Sequence, residues 1–157
     1  MCIRDSGGAG AGPERLANVE RAVAIAAGIL DSGGSAIEAA VEACVVLEDD
    51  PVFNAGTGSV FRTDGSVHLD ASIQTSEGKL GFVIGMQDTP NPIRVAADLL
   101  DEEINGLSGD GARLWADSKG FVRSNVQGRP PFEGATDTIG VVARDKSGLI
   151  VCATSTG

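Results

Sequence analysis

The 157-residue chain has one histidine, His68, and no tyrosine. A single imidazole rules out multi-histidine metal centres and leaves only His68 for any Ser-His-Asp or Cys-His relay. Basic residues are also scarce, 12 against 22 acidic ones, and the formal charge is −10 with no Lys/Arg cluster anywhere. Phosphate-backbone binding depends on clustered cations that release counterions, so nucleic acid is not an expected partner. No apolar run approaches the roughly 20 residues of a membrane helix, so no membrane span is expected. Cys2, Cys44 and Cys152 are an odd, widely spaced set without metal-ligand or redox spacing, which reads as buried or free thiols. What remains is ordinary for a globular domain: 42% hydrophobic and 22% charged residues, at a length that can bury a core.

Residues Met1–Ser6 show neither strand alternation nor a signal-peptide pattern, because Arg4 and Asp5 interrupt any apolar stretch. They read as a non-native leader. From Glu14 to Leu30 an apolar stripe of Leu16, Val19, Val23, Ala26 and Leu30 predicts a helix, stopped at Gly33-Gly34. Ser35 and Glu38 have capping-box spacing, and Ile37, Ala40, Val41, Cys44 and Val45 continue a second helix to about Leu47. Val67, Leu69, Ala71 and Ile73 then alternate with His68, Asp70 and Ser72 behind an Asp64-Gly65 turn, which predicts a half-buried hairpin. Leu80–Met86 reads as a strand, Asn91-Pro92 as a helix start, and Gly109–Lys119 as a further helix. Gly120–Ala135, rich in Gly, Pro and Arg, reads as an exposed connecting segment open to cleavage. Thr138–Ala143 and Leu149–Thr154 read as two strands around a Lys146-Ser147-Gly148 turn. The order of elements predicts an α+β layered fold.

His68 falls on the polar side of its strand and reads as a structural histidine, so a hydrolase here needs another base. A threonine released at a new N-terminus carries its own base, since its α-amine, with a pKa of roughly 7.7 to 8.0, takes the hydroxyl proton. Its mark is a threonine opening a strand after an exposed loop, and Thr138 has that position. Periodicity alone leaves it equally a good strand former.

Asp137-Thr138-Ile139-Gly140-Val141-Val142-Ala143 and Ala153-Thr154-Ser155-Thr156-Gly157 resemble the cleavage junction and following strand of plant-type asparaginases, isoaspartyl peptidases and glycosylasparaginases. Gly7-Gly8-Ala9-Gly10 is similar to that family's glycine-rich segment. The run from Leu47 to Gly58, Leu-Glu-Asp-Asp-Pro-Val-Phe-Asn-Ala-Gly-Thr-Gly, is similar to its loop between the second helix and first hairpin. The resemblance spans residues 7 to 157. It implies an N-terminal-nucleophile hydrolase, an αββα sandwich of which this chain holds residues 7–137 as the α-subunit and 138–157 as the first two strands of the β-subunit. By it, self-cleavage falls between Asp137 and Thr138. Thr138 is then the catalytic nucleophile toward L-asparagine, β-aspartyl peptides or glycosylated asparagine. Thr156 polarises or orients its hydroxyl, and Asn54 holds the amine or hydroxyl in place. No cofactor is required. A structural sodium is implied on the backbone carbonyls of Leu47, Glu48, Asp50, Phe53, Ala55 and Thr57, ligands suited to a hard cation. The resemblance also implies a dimer of cleaved α/β heterodimers, in the cytoplasm or periplasm.

The sequence departs from the family after Gly157, where the substrate-gripping arginine and aspartate and the oxyanion-stabilising Thr-Gly pair belong. One lost oxyanion donor alone costs about 2.7 to 4 kcal/mol, so the chain by itself is expected to be inactive. Two other readings compete. Gly7–Gly12 could cradle a phosphate at a helix start, although the Lys-Ser/Thr ending of a P-loop is missing. A noncatalytic partner subunit is the other.

Overall fold

The computed structural model describes residues 1–8, 12–131 and 138–157. Its first element corrects the absence of strand character read at the N-terminus: Cys2–Ser6 is a strand, β1, paired antiparallel with β5 (Ile139–Arg144) in the register Asp5 to Val141. The sequence hid it because an acid stands where an apolar residue would complete the alternation. Ile3 and Asp5 are the half-buried positions, and neither Asp5 oxygen has a partner. Burial raises the Asp5 pKa to about 7. The folded chain therefore keeps a proton that the unfolded chain releases from about pH 4 upward, and Asp5 subtracts stability as pH rises toward 7. Asp5→Val should stabilise the fold by about 1–2 kcal/mol at pH 8 and by clearly less at pH 5, measured by denaturant unfolding at both values. Equal gains at the two pH values would contradict the buried carboxyl.

Helix α1 (Leu16–Asp31) follows a 3-10 turn at Pro13–Arg15. It buries Ala22, Ala26 and Leu30, whereas Leu16, predicted to lie on the inner stripe, is 59% exposed. The contact face is the one with alanines, which let α1 lie close against the buried Ala36, Ala39, Ala40 and Ala43 of α2 (Ala36–Glu48). Ser35 caps α2 by accepting from the Glu38 amide at 3.1 Å. Helix α2 in turn packs on β5 and on β6 (Ile150–Thr156).

Strand β2 (Leu69–Thr75) keeps its predicted alternation, but its hairpin partner is β3 (Leu80–Met86), across a turn in which Gly78 takes a positive φ of 88°. The Asp64-Gly65 turn exists, closed by Arg62 N–H to Ser66 O at 2.7 Å, yet it joins no strand pair. The chain before it instead bridges across at Val60 to Arg129. Tertiary pairing therefore overrides the strongest local turn signal.

Helix α3 (Pro92–Asp98) starts at the predicted proline and packs on β2 and β3. β4 (Gly106–Ser108) lies parallel to β3, too short to show any period. Helix α4 (Gly109–Ser118) buries Ala112, Ala116 and Arg113. Arg113 donates to the carbonyls of Asp88 and Phe121, pinning the exposed segment that follows.

The six strands run in the order β1-β5-β6-β2-β3-β4, antiparallel except for the last pair. Ile139, Val141, Ala143, Val151, Ala153, Ala71, Ile73 and Val83 face the helices and are buried. The opposite sheet face bears Val142, Thr154 and Ile84, all exposed, and no described element covers it. The described residues thus form two layers, helices on a mixed sheet, in line with the α+β expectation.

Candidate active site

Register brings the site together. β5 and β6 pair Ile139 with Ser155 and Gly140 with Thr154, so one further step sets Thr138 opposite Thr156. β6 and β2 then pair Thr156 with Asp70. In a pleated sheet, residues directly opposite share a face, so Thr138, Thr156 and Asp70 form one row across three strands. That face is the open one, and the row lines a cleft of about 360 Å³ with Ser72, Thr154 and Phe82 along its floor. Thr138 is exposed immediately before β5. Asp137 lies outside the described residues, so the predicted junction is seen from its Thr138 side only.

Asp70 is held in place by a bulge. The β2–β3 register shifts between Leu69 and Ala71, Gly85 takes a φ of 64°, and its N–H donates to Asp70 Oδ1 at 2.7 Å. Ser72 and Thr154 hydroxyls bond each other at 2.8 Å, one row below. Sequence reading placed Asp70 on the polar side of its strand without assigning it to the site. The strand alternation could have shown the face, but not the neighbour.

Asn54, 4% exposed, is fastened to the strand end that carries Thr156. Its Nδ2 donates to Gly157 O at 2.9 Å, its Oδ1 accepts from Val60 N–H at 2.9 Å, and its carbonyl accepts from Gly157 N–H at 3.1 Å. The structure thus couples Asn54 to the Thr156 end of the row through the backbone of Gly157.

The loop after α2 folds back on itself at Gly56 and Gly58. A Cβ on Gly56 would sit 2.5 Å from Glu48 O, and one on Gly58 2.1 Å from Phe53 O. Three of the carbonyls considered for sodium also accept turn amides: Leu47 from Asp50, Asp50 from Phe53, and Ala55 from Gly58. A carbonyl keeps a second lone pair, and backbone oxygens crowded by glycines suit a hard cation, so the residues fit such an ion. Among the described residues no group of three or more His, Cys, Asp or Glu side chains could hold a metal.

One group went unread as a side chain. Glu48 is fully buried at the end of α2, and burial raises its pKa to about 8 against the opposing pull of the Ser155 hydroxyl and the Ile93 amide. Burial likewise pushes the Cys44 thiol up, with Glu48 and then Asp5 adding to it. His68, predicted structural, accepts at Nε2 from the Gln87 amide at 2.7 Å, beside a cleft separate from the threonine row.

The sequence model of the family described as Asparaginase matches residues 3–129. The isoaspartyl peptidases/L-asparaginases of Macaca fascicularis and Homo sapiens are each 36% identical to this chain over 179 residues, covering 96% of it and 58% of their own length. The plant-type L-asparaginase of Pyrococcus horikoshii is 44% identical over 94 residues, 59% of this chain and 31% of that protein. The chain thus spans little more than half the length of the first two. The family match takes in the glycine-rich segment from Gly7, and nothing in these comparisons supports a nucleotide-binding or noncatalytic module. With that match over most of its length, the chain belongs to the asparaginase family of hydrolases.

Proposed function

We propose that the chain is the precursor part of a self-cleaving threonine amidohydrolase whose nucleophile is Thr138 and whose substrates are β-aspartyl amides: L-asparagine, β-aspartyl peptides or glycosylated asparagine. The observation that carries this reading is the threonine row, with Thr138 exposed at the mouth of the cleft and Thr156 and Asp70 beside it. The names of the relatives, isoaspartyl peptidase/L-asparaginase, favour the first two substrates.

In the first step the Thr138 hydroxyl attacks the carbonyl carbon of the preceding residue. The peptide C–N bond breaks, the acyl group moves to oxygen, and the Thr138 nitrogen leaves as a free amine. Water then hydrolyses the ester and restores the hydroxyl. The amine so released is the base for the second reaction. It takes the Thr138 proton as the oxygen attacks the side-chain amide of the substrate, ammonia or an amine departs, and water resolves the aspartyl ester. Thr156, opposite Thr138 in the ladder, donates a hydrogen bond that orients the attacking oxygen. Asn54 holds that strand end through Gly157. A sodium ion on the carbonyls of Leu47, Glu48, Asp50, Phe53, Ala55 and Thr57 would stiffen the loop that carries Asn54 and take no part in either step.

The uncovered sheet face supports a fourfold layering in which a second sheet and helix layer complete an αββα sandwich, in a dimer of cleaved heterodimers. Substrate carboxylate and amine would be gripped by the arginine and aspartate that the family pattern places after the Thr-Ser-Thr-Gly run. The test is coexpression with the C-terminal segment of a family member, followed by intact-mass analysis and assays with a β-aspartyl dipeptide, asparagine and a glycosylated asparagine. Two fragments divided at Asp137/Thr138 together with amide hydrolysis are expected. Hydrolysis by an uncut chain would sink the mechanism.

A further inference from the structure

The segment that leads to Thr138 is docked on the fold at Gly128 and Arg129. Val122 to Asn125, Gln127 and Pro130 are exposed, whereas Gly128 and Arg129 are half-buried. Arg129 N–H donates to Ser59 O at 2.9 Å, and Arg129 O accepts from Phe61 N–H at 3.1 Å, so the two stretches pair at Val60. The guanidinium reaches further along the same loop and donates through Nη2 to Val52 O at 3.3 Å. Gly128 permits the approach: its φ is +67°, and a Cβ there would sit 2.6 Å from Val67 Cγ2 and 3.1 Å from Ser59 O.

The stretch that receives Arg129 also receives the strand end. Val60 N–H donates to Asn54 Oδ1, and Asn54 Nδ2 donates to Gly157 O. Gly157 lies so close to Ser59 that a Cβ on it would run into the serine side chain. Ser59 to Phe61 therefore holds both Gly157, next to Thr156, and Arg129, eight residues (130–137) ahead of Thr138. Attack of the Thr138 hydroxyl on the preceding carbonyl needs the incoming chain and the Thr156 strand end fixed relative to one another.

We propose that Arg129 is a positioning residue for self-cleavage, docking the incoming chain on the loop that holds the Thr156 strand end; the inference rests on the reading of Thr138 as nucleophile. Once the bond ahead of Thr138 is broken, the chain no longer joins Arg129 to the nucleophile, so its hold bears on the first reaction and not on amide hydrolysis. Chain length contributes little. With Ser124, whose N–H donates to Asp88 O, as the last anchor, the connection grows from 8 to 13 residues (125–137), a factor of roughly two. A larger effect reports direction.

The experiment is an intact-mass time course of cleavage in the chain coexpressed with the C-terminal segment of a family member, for the parent, Arg129→Ala, Arg129→Lys and Gly128→Val. Each fully cleaved product is then assayed for kcat and KM on a β-aspartyl dipeptide. Arg129→Ala should cut about 5- to 10-fold more slowly, Gly128→Val at least as slowly, and Arg129→Lys, which can still donate to Val52 O, close to the parent rate. Per cleaved molecule, kcat and KM should match the parent throughout. A parent that cuts at Thr138 with Arg129→Ala cutting as fast overturns the proposal, as does lysine behaving like alanine. Equal losses in cleavage and in kcat also overturn it, because they mark a general loosening of the Asn54 loop. A parent that stays uncut overturns the reading of Thr138 and this one with it. If Gly128→Val prevents folding, the two Arg129 variants decide by the same criteria.

Discussion

Thr138→Ala is expected to leave the coexpressed chain in one piece and to lower β-aspartyl hydrolysis by roughly 10⁵- to 10⁶-fold, the scale of deleting a covalent nucleophile. Alanine removes both the oxygen that attacks its own backbone and the oxygen that attacks substrate, so the two losses come together. Thr138→Ser keeps the oxygen and should still cut. The substitution touches little else: the side chain is exposed in the cleft and packs in no core, so stability should change by less than about 0.5 kcal/mol. A marked loss of stability in the alanine variant would mean that Thr138 serves the strand and not the chemistry. Thr156→Val, which preserves shape, should reduce cleavage by about 10²-fold as the loss of one positioned hydrogen bond.

The second large effect is structural and reaches the site indirectly. Gly58→Ala places a methyl 2.1 Å from Phe53 O and 2.7 Å from Pro51 O, both backbone atoms that cannot rotate away. The loop must open, and with it the reciprocal contacts between Asn54 and Gly157. We expect a loss of about 3 kcal/mol in denaturant unfolding, the upper range for overpacking a fitted site. Gly65→Ala is the comparison: its φ is +82° but no atom lies within 4 Å of the added Cβ, so strain alone costs about 1 kcal/mol. Equal costs at the two positions would show that the Asp49–Gly58 loop yields more easily than its geometry implies.

Local chemistry was legible where a short pattern suffices. The Ser35 cap, the Pro92 helix start and the alternation of β2 all appear at their predicted places. The strand read from Thr138 starts one residue later, at Ile139, with Thr138 immediately ahead of it. Errors fell where a distant partner outweighed a near one. β1 was missed because Asp5 breaks its alternation, and only pairing with β5 holds it extended. The hairpin was assigned to the Asp64-Gly65 turn because that dipeptide is the stronger turn signal, whereas the ladder forms across Ser76–Lys79. Glu48 was weighed as a carbonyl donor, and nothing in a sequence tells that a helix-end glutamate points into the core.

The residues alone determined where α1 to α4 and β2, β3, β5 and β6 would run, and put a threonine immediately ahead of β5. These follow from periodicities of a few residues and from the chemistry of one side chain. The tertiary structure decided that Thr138, Thr156 and Asp70 share a row, that Asn54 reaches this row through Gly157, and that no described element covers one sheet face. Register is the physical reason. Shifting any of these strands by one residue would turn its side chain to the helix side, and that choice is made by burial and pairing across the whole sheet.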